Sequence, residues 1–201
     1  MRILITRHGE SLYNIEDRIG GDPSLSDSGK DYAKNLAIFC SKVSVPAIAY
    51  SSTKKRSRET IAPCRSAFTS ISYCSDLDEI NAGRFENLTY DQVRNNYPKE
   101  FALRSEYKLS YRYPEGESYT DLFERVRPLV MGIINSNEDV FIFCHRAISR
   151  ALLYHLTDLS PEDAPKLHIP LHHILSLTGT TPGNMELEII NVEDTLHKIL
   201  E

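Results

Sequence analysis

The chain has 201 residues, of which 41% are hydrophobic and 25% charged, and it carries a formal net charge of −5 at pH 7. This length and composition are typical of one globular α/β domain, predicted to span residues 1–201. The negative charge argues against nucleic acid as a partner, because proteins that bind it usually present a broad basic face. The apolar run at the N-terminus is too short for a signal peptide or a membrane span. We therefore expect a cytoplasmic protein without a membrane or nucleic-acid partner; no sequence feature indicates its oligomeric state.

Strands and helices alternate along the first part of the chain. Short apolar runs predict strands, and apolar residues at helical spacing predict helices. The predicted elements are a strand at 2–6, a helix at 26–43, a strand at 47–50, a helix from about 54 to 68 and a strand at 71–74. Residues 76–117 contain no run long enough for a further strand, so we predict loops and short helices there.

The last part of the chain resumes the alternation. The predicted elements are a helix at 118–134, a strand at 140–144, a helix at 146–156 and a terminal strand pair at 171–177 and 185–190, joined through Gly179 and Pro182-Gly183. Strands that alternate with helices favour a mainly parallel sheet covered on both faces. The sequence thus predicts a single three-layer α/β domain, with an insertion of loops and short helices at about 76–117.

Two predicted strands end in a histidine next to an arginine. The first strand leads into Arg7-His8, and the fourth leads into His145-Arg146. Ligands of open α/β sheets bind beyond the carboxyl ends of the strands, so we expect the two histidines to face each other there. A neutral imidazole is a good nucleophile toward phosphorus, and a phosphohistidine divides a difficult hydrolysis into two easier steps. A lone histidine is more often structural, so the interpretation depends on the surrounding motif.

Two pairs of basic residues lie four positions apart. Arg104 and Lys108 share one face if their segment is helical, and the tyrosines around them favour a pocket for a second phosphate. Alternatively, Glu100 pairs with Arg104 at the surface. Arg146 and Arg150 lie in the predicted first turn of a helix, where cations oppose the helix dipole and a bound anion offsets that cost. Either this pair contacts an anion or its long side chains bend away into solvent.

No motif indicates a cofactor. The other five histidines have no metal-ligand spacing, and the sequence contains no GxxxxGK[ST] phosphate-binding loop. No two of the four cysteines lie at CxxC spacing, so we expect reduced structural thiols. We therefore predict no metal or other cofactor, and no kinase domain.

The motif around the first histidine resembles a known family. The run Arg7-His8-Gly9-Glu10 after an N-terminal strand, together with a second histidine at a strand end, resembles the histidine phosphatase (phosphoglycerate mutase-like) superfamily. Within it, the chain is most similar to the bisphosphatase domain of the 6-phosphofructo-2-kinase/fructose-2,6-bisphosphatase family. The segments that carry this likeness are RIGGD (18–22), LDEINAG (77–83), YPKEFALR (97–104) and YRYPEGESY (111–119).

The resemblance implies a role for each matching residue. His8 would accept the phosphoryl group, and Glu79 would protonate the departing sugar oxygen and then help to activate water. The residues expected around the transferring phosphoryl group are Arg7, Arg56, His145 and Asn14. Those expected to bind the sugar and its 6-phosphate are Tyr90, Arg104, Lys108 and Tyr119, and we also assign Gly20, Arg146 and Arg150 to substrate binding.

Some of these residues have plain structural interpretations as well. Arg56 lies in a basic run at 54–58 that a solvated helix face also explains, and Glu79 lies in an acidic run that a surface turn also explains. Arg146 departs from the family, which has glutamine directly after this histidine. The departure bears on sugar recognition rather than on phosphoryl transfer.

The resemblance predicts hydrolysis of the 2-phosphate of fructose 2,6-bisphosphate to fructose 6-phosphate and phosphate, through a phosphohistidine, with a small sugar phosphate as partner. Within the same chemistry, the alternatives are a broad phosphomonoesterase and a phosphoglycerate mutase that returns the phosphoryl group to its substrate. An alternative of another class is a catalytically inactive module that binds a sugar phosphate or a protein. The YRYPEGESY segment favours the bisphosphatase, and the presence of Arg7, His8, Glu79 and His145 argues against an inactive module.

Overall fold

The computed structural model describes residues 1–181 and 183–200, and both Pro182 of the predicted turn and the last residue of the predicted domain lie outside them. The strands are Arg2–Arg7 (β1), Ile48–Ser52 (β2), Ser70–Cys74 (β3), Val140–Cys144 (β4), His173–Thr178 (β5) and Glu186–Asn191 (β6). The helices are Leu12–Ile15 (α1), Asp27–Lys42 (α2), Lys55–Ile61 (α3), Tyr90–Asn96 (α4), Pro98–Glu106 (α5), Tyr119–Ser136 (α6), Arg146–Leu156 (α7) and Val192–Leu200 (α8).

The six strands form one mixed sheet in the order β3-β2-β4-β1-β5-β6. Strands β3, β2, β4 and β1 run parallel, whereas β5 is antiparallel to both of its neighbours. Arg7 at the end of β1 lies opposite Cys144 at the end of β4. The residues that follow these two, His8 and His145, therefore leave the sheet side by side.

Helices cover both faces of the sheet, because alternate residues of the buried strands point in opposite directions. Ile5 and Ile142 pack on one face with α6 and α7. Leu4 and Phe141 pack on the other face with α2, α3 and α8. The predicted single α/β domain, with a mostly parallel sheet between helices, is confirmed.

The predicted insertion contains α4 and α5 and short 3₁₀ turns, and it has a small core of its own. In that core, Phe85 packs against Tyr97 and Tyr113, with ring centroids 5.1 and 6.1 Å away. Helix α4 begins with a capping box in which the hydroxyl of Thr89 accepts from the N–H of Gln92, and the Gln92 side chain accepts from the N–H of Thr89. The insertion is thus an ordered part of the domain.

Three local features differ from the prediction. The helix expected to run to about residue 68 ends at Ile61 and continues as a 3₁₀ turn, Ala62–Ala67, because Pro63 has no N–H to donate. Strand β5 begins two residues late, since His172 has the left-handed φ of 62° and forms a turn. The short α1 and the terminal α8 were not predicted. Among the described helices, none is long and apolar enough to cross a bilayer.

Candidate active site

A cavity of about 440 Å³ lies at the carboxyl ends of β1 and β4. Its basic lining residues are Arg7, Arg18, Arg56, Arg104, Lys108, Arg146 and Arg150. Its acidic lining residues are Glu10, Asp17 and Glu79. This local excess of cations, in a chain whose net charge is −5, favours an anionic ligand.

His8 is buried with a defined tautomer. Its Nδ1 lies 2.7 Å from the carbonyl oxygen of Gly9, which only accepts, so Nδ1 carries the proton and Nε2 is left bare. Arg56 Nε donates to this Nε2 over 3.1 Å. Burial lowers the pKa of His8 well below its usual range, and the guanidiniums of Arg56 and Arg7 lower it further. The imidazole is therefore neutral at pH 7, with a lone pair on Nε2.

Arg56 and Arg7 are both buried beside His8, with 3% and 4% of their surface exposed. Arg56 also donates to the carbonyl of Gly21 over 2.8 Å, and Arg7 donates to the carbonyl of Ile169 over 2.6 Å. Burial and the charge of Arg146 lower the pKa of Arg7 to about 10, so it stays cationic at pH 7. The alternative interpretation of Arg56, a solvated helix face, does not hold.

His145 lies directly behind His8. Its ring centroid is 5.1 Å from that of His8, and its surface is fully buried. Nε2 lies 2.7 Å from the hydroxyl of Ser52, and Nδ1 has no hydrogen-bond partner within the described residues. Burial, followed by the charge of Arg56, lowers the pKa of His145 well below its usual range. A second neutral imidazole thus adjoins the first.

Glu79 reaches the cavity from the segment that follows β3. Its Oε1 accepts from the backbone N–H of Ile80 over 3.0 Å and from that of Ala147 over 3.1 Å. Ala147 is the second residue of α7, so a helix N-terminus anchors this carboxyl group. The neighbouring Asp78 faces away, toward Ser52 and Thr53.

The insertion contributes a cation surrounded by phenols. Arg104 Nε donates to the hydroxyl of Tyr113 over 2.5 Å, and its guanidinium lies 5.4 Å from the ring centroid of Tyr90. The surface pair between Glu100 and Arg104 does not form, because Glu100 accepts from Tyr111 instead.

Lys108 lies just past the end of α5, in a turn. The shared helical face expected for Arg104 and Lys108 is therefore wrong, yet both residues line the cavity. Burial, followed by the charges of Arg150, Arg104 and Arg146, lowers the pKa of Lys108 to about 8.

Helix α7 adds two more cations. Arg150 is 8% exposed; it donates from Nε to the carbonyl of Leu167 and from its terminal nitrogen to the hydroxyl of Tyr119, each over 2.7 Å. Arg146 is exposed, and its guanidinium has no hydrogen bond or ion pair among residues 1–181 and 183–200. Its charge lowers the pKa of Arg7, and also that of Lys108. Arg146 therefore acts electrostatically on the cavity.

The remaining predicted residues, Asn14 in α1 and Gly20, lie in the segment that follows β1. Asn14 lines the cavity while its Oδ1 accepts from the N–H of Ser11 over 2.9 Å. Gly20 has the left-handed φ of 63°, and a Cβ there would lie 2.0 Å from the carboxylate of Glu86. That carboxylate also accepts from the N–H of Gly21, which ties this loop to the insertion.

The structure brings together all the predicted site residues. All of them line the cavity except His145, which lies behind it against His8. Sequence reasoning missed Arg18 and Asp17 in the cavity wall, and Ser52 and Asp78 behind His145. Arg18 and Asp78 each carried a signal, since both belong to motifs that the resemblance uses. The described residues contain no group of three or more histidine, cysteine or acidic side chains placed to hold a metal ion.

Fold and cavity together define an α/β protein that surrounds a neutral histidine with cations at the ends of parallel strands. The chain belongs to the histidine phosphatase superfamily (branch 1), whose family model matches residues 3–193.

Curated relatives agree with this assignment. The chain is 41% identical over 192 residues to 6-phosphofructo-2-kinase/fructose-2,6-bisphosphatase 4 of Homo sapiens, and 41% identical over 193 residues to the 6-phosphofructo-2-kinase/fructose-2,6-bisphosphatase of Gallus gallus. These alignments cover 94% and 95% of this chain and 40% of each relative. The chain therefore spans well under half the length of the curated relatives that it matches.

Solved structures share the fold. A mycobacterial glucosyl-3-phosphoglycerate phosphatase superposes with a TM-score of 0.81 at 24% identity, over 94% of this chain and 98% of that one. The α-ribazole phosphatase from Shigella flexneri superposes with a TM-score of 0.84 at 17% identity, over 95% of this chain and 96% of that one. At these identities the likeness concerns the fold alone.

Proposed function

We propose that this chain hydrolyses the 2-phosphate of fructose 2,6-bisphosphate through a phosphohistidine on His8. The observation that carries the proposal is the bare Nε2 of a buried, neutral His8 beside Arg56, in one cavity with a second group of cations. The likeness to the 6-phosphofructo-2-kinase/fructose-2,6-bisphosphatases supports the choice of substrate.

In the first step, the lone pair of His8 Nε2 attacks phosphorus while the bond to the sugar oxygen breaks. The departing oxygen takes the proton of Glu79, which lines the same cavity. Arg7 and Arg56 are fixed by carbonyl contacts before the substrate arrives, so their donors need little reorganisation to stabilise the phosphoryl oxygens.

In the second step, water attacks the phosphohistidine. Glu79, now a carboxylate, takes a proton from the water as the oxygen forms its bond to phosphorus. The nitrogen–phosphorus bond breaks and its electron pair returns to Nε2. The step releases phosphate, and it restores neutral His8 and protonated Glu79.

The second group of cations is the reason to propose a substrate with two phosphates. Arg104, Lys108 and Arg150 all line the cavity, and mutual repulsion contributes to the lowered pKa of Lys108. A second phosphate there would remove that repulsion and form charge-assisted hydrogen bonds. A substrate with one phosphate would leave these cations uncompensated.

Phosphate release from a panel of sugar phosphates tests the proposed substrate. We expect fructose 2,6-bisphosphate to give the highest kcat/KM, with fructose 6-phosphate as the product. Similar rates with many monophosphates would indicate a broad phosphomonoesterase. Activity that requires 2,3-bisphosphoglycerate would indicate a mutase, and binding without release would indicate an inactive module.

Removing Arg104 or Lys108 should weaken substrate binding, because the second phosphate loses one of its cationic partners. We expect Arg104→Ala and Lys108→Ala to raise KM for fructose 2,6-bisphosphate about 10- to 100-fold, because a charged hydrogen bond contributes about 1.5–3 kcal/mol. KM for an analogue without the 6-phosphate should change much less. Exposed Lys99 of α5 gives a matched control, Lys99→Ala. Equal losses with both substrates would place the 6-phosphate elsewhere.

Lys108 should also introduce a pH dependence. Its lowered pKa of about 8 means that the side chain loses its proton as pH rises through 8, whereas an arginine keeps its charge. KM for the bisphosphate should therefore rise between pH 7 and 9 in the wild type and stay nearly constant in Lys108→Arg. A parallel rise in both proteins would exclude Lys108 as its source.

Arg146→Gln should keep kcat and raise KM severalfold. One attractive charge is lost, so the salt dependence of kcat/KM should also become flatter. Steady-state kinetics from low to moderate ionic strength provide the measurement. Arg127→Gln, on the exposed side of α6, removes the same charge away from the cavity and should leave both quantities unchanged. Wild-type kinetics of Arg146→Gln at every salt concentration would show that Arg146 does not act on the substrate.

A further inference from the structure

A chain of hydrogen bonds behind the cavity ends on His145. The Ser52 hydroxyl lies 2.7 Å from Asp78 Oδ1 and 2.7 Å from His145 Nε2, and the backbone N–H of Lys54 donates to the same hydroxyl over 3.1 Å. Ser52 and His145 are both fully buried, and neither lines the cavity. The contact between Ser52 and His145 is therefore sheltered from water, and its proton positions follow from donor and acceptor chemistry.

A hydroxyl has one proton to donate, and two of the three hydrogen-bond partners of the Ser52 hydroxyl determine its direction. The carboxylate of Asp78 accepts only, so the Ser52 proton points to Asp78. The N–H of Lys54 donates only, so Ser52 accepts there. Since the Ser52 proton is already used, the contact with His145 requires a proton on Nε2 of the histidine.

We propose that Ser52, oriented by Asp78, is a positioning residue that holds the proton of His145 on Nε2 and leaves Nδ1 as the nitrogen available to the phosphoryl group. Nδ1 is buried and without a partner in the described part of the chain, in a ring centred 5.1 Å from that of His8. His8 has the opposite tautomer, with its proton on Nδ1. The two adjoining histidines thus present different ring nitrogens.

The arrangement also works when the ring of His145 becomes charged. A phosphoryl group next to the ring stabilises the imidazolium form, in which Nδ1–H donates to a phosphoryl oxygen. Nε2 keeps its proton and its bond to Ser52 in both forms. If Ser52 donated to Nε2 instead, protonation of that nitrogen would break the contact. Asp78 fixes the direction of the hydrogen bond from His145 Nε2 to Ser52, and this bond therefore holds the ring in place in both its neutral and its charged form.

The tautomer can be read directly by nitrogen NMR on protein labelled with ¹⁵N in its histidines, with and without inorganic phosphate. Resonances are assigned by comparison with His145→Asn. We expect the wild type to show His145 protonated at Nε2 in both samples, with a slowly exchanging ring proton. A bare Nε2 and a protonated Nδ1 without phosphate would overturn the proposal. This measurement uses no substrate, so it stands even if the proposed function fails.

Variants test the positioning role, and this arm rests on the proposed function. Ser52→Ala should lower kcat about tenfold, the effect of one well-placed hydrogen bond, with KM nearly unchanged because Ser52 does not touch the substrate. The slowly exchanging ring proton should disappear. Ser52→Thr keeps the hydroxyl and should restore both. Unchanged kcat and an unchanged ring signal in Ser52→Ala would overturn the proposal.

The neighbouring Ser51 provides a matched control. It is also fully buried, and its hydroxyl contacts Ser57 and the carbonyl of Ser52 rather than His145. Ser51→Ala should keep the tautomer and kcat of the wild type. An equal loss of kcat in Ser51→Ala would show that any lost hydroxyl here disturbs the strand, and would count against a specific role for Ser52. Asp78 is a poorer site for substitution because it adjoins Glu79 in the chain.

Discussion

His8→Ala is expected to abolish the phosphoenzyme and to lower kcat by on the order of 10⁴- to 10⁶-fold, the usual loss when a covalent nucleophile is removed. Nε2 of His8 is the one bare ring nitrogen held against Arg56. Neighbouring cations cannot substitute for it, since protonated guanidiniums are not nucleophiles. His145 is not expected to substitute either, because its ring lies behind that of His8 and does not line the cavity.

Brief incubation with substrate labelled at the 2-phosphate measures the intermediate. Wild-type protein should retain acid-labile, base-stable label, as phosphohistidine does, and His8→Ala should retain none. His197→Ala, at an exposed position of α8, removes a histidine away from the cavity and should label normally. Label on His8→Ala with the same acid and base stability would move the nucleophile to another residue.

The position of the two histidines was predictable because it follows from strand polarity. Short apolar runs identified β1 and β4, and His8 and His145 each follow the end of a run. In a parallel sheet, such residues come to one edge. The sequence does not state that β1 and β4 are neighbours, since 132 residues lie between the end of β1 at Arg7 and the start of β4 at Val140, but the paired chemistry at the strand ends indicated it.

Arg104 and Lys108 were predicted from the resemblance and from their spacing, and the reasoning from the spacing was incorrect. The spacing of Arg104 and Lys108 suggested one helical face, but α5 ends at Glu106. The two side chains reach one cavity through the packing of the insertion. There the hydroxyl of Tyr111 donates to the carboxylate of Glu100, and Arg104 donates to the hydroxyl of Tyr113. Local spacing does not contain that tertiary information.

The hydrogen bonds behind His145 were not predicted from the sequence, although Asp78 belongs to the LDEINAG motif. Ser52 lies 93 positions from His145 and 26 from Asp78, and serine and aspartate are common in turns. Only the register of β2 beside β4 places Ser52 under the ring. Residues that act through another residue are therefore found from coordinates, whereas residues at strand ends can be found from the sequence.

Glu79→Gln is expected to lower kcat on fructose 2,6-bisphosphate by on the order of 10²- to 10⁴-fold, the usual contribution of general acid–base catalysis. The substitution is close to isosteric. A glutamine Oε1 still accepts from the N–H groups of Ile80 and Ala147, so the side chain should keep its position and KM should change little. Asp76→Asn, which removes a carboxylate from the same segment outside the cavity, is the matched control and should turn over normally.

The leaving group of the substrate separates the two roles proposed for Glu79. Nitrophenolate departs without a proton, so Glu79→Gln should still transfer the phosphoryl group from p-nitrophenyl phosphate to His8. If Glu79 also activates water, the variant should release one equivalent of nitrophenolate in a burst and then turn over slowly, because the phosphohistidine accumulates. A slow steady rate without a burst would show that phosphoryl transfer to His8 is itself the slow step, and would contradict a role for Glu79 in the hydrolysis of the phosphohistidine. Rapid turnover of both substrates would assign the acid–base role to another carboxyl group in the cavity, and Glu10 and Asp17 are the remaining candidates among its lining residues.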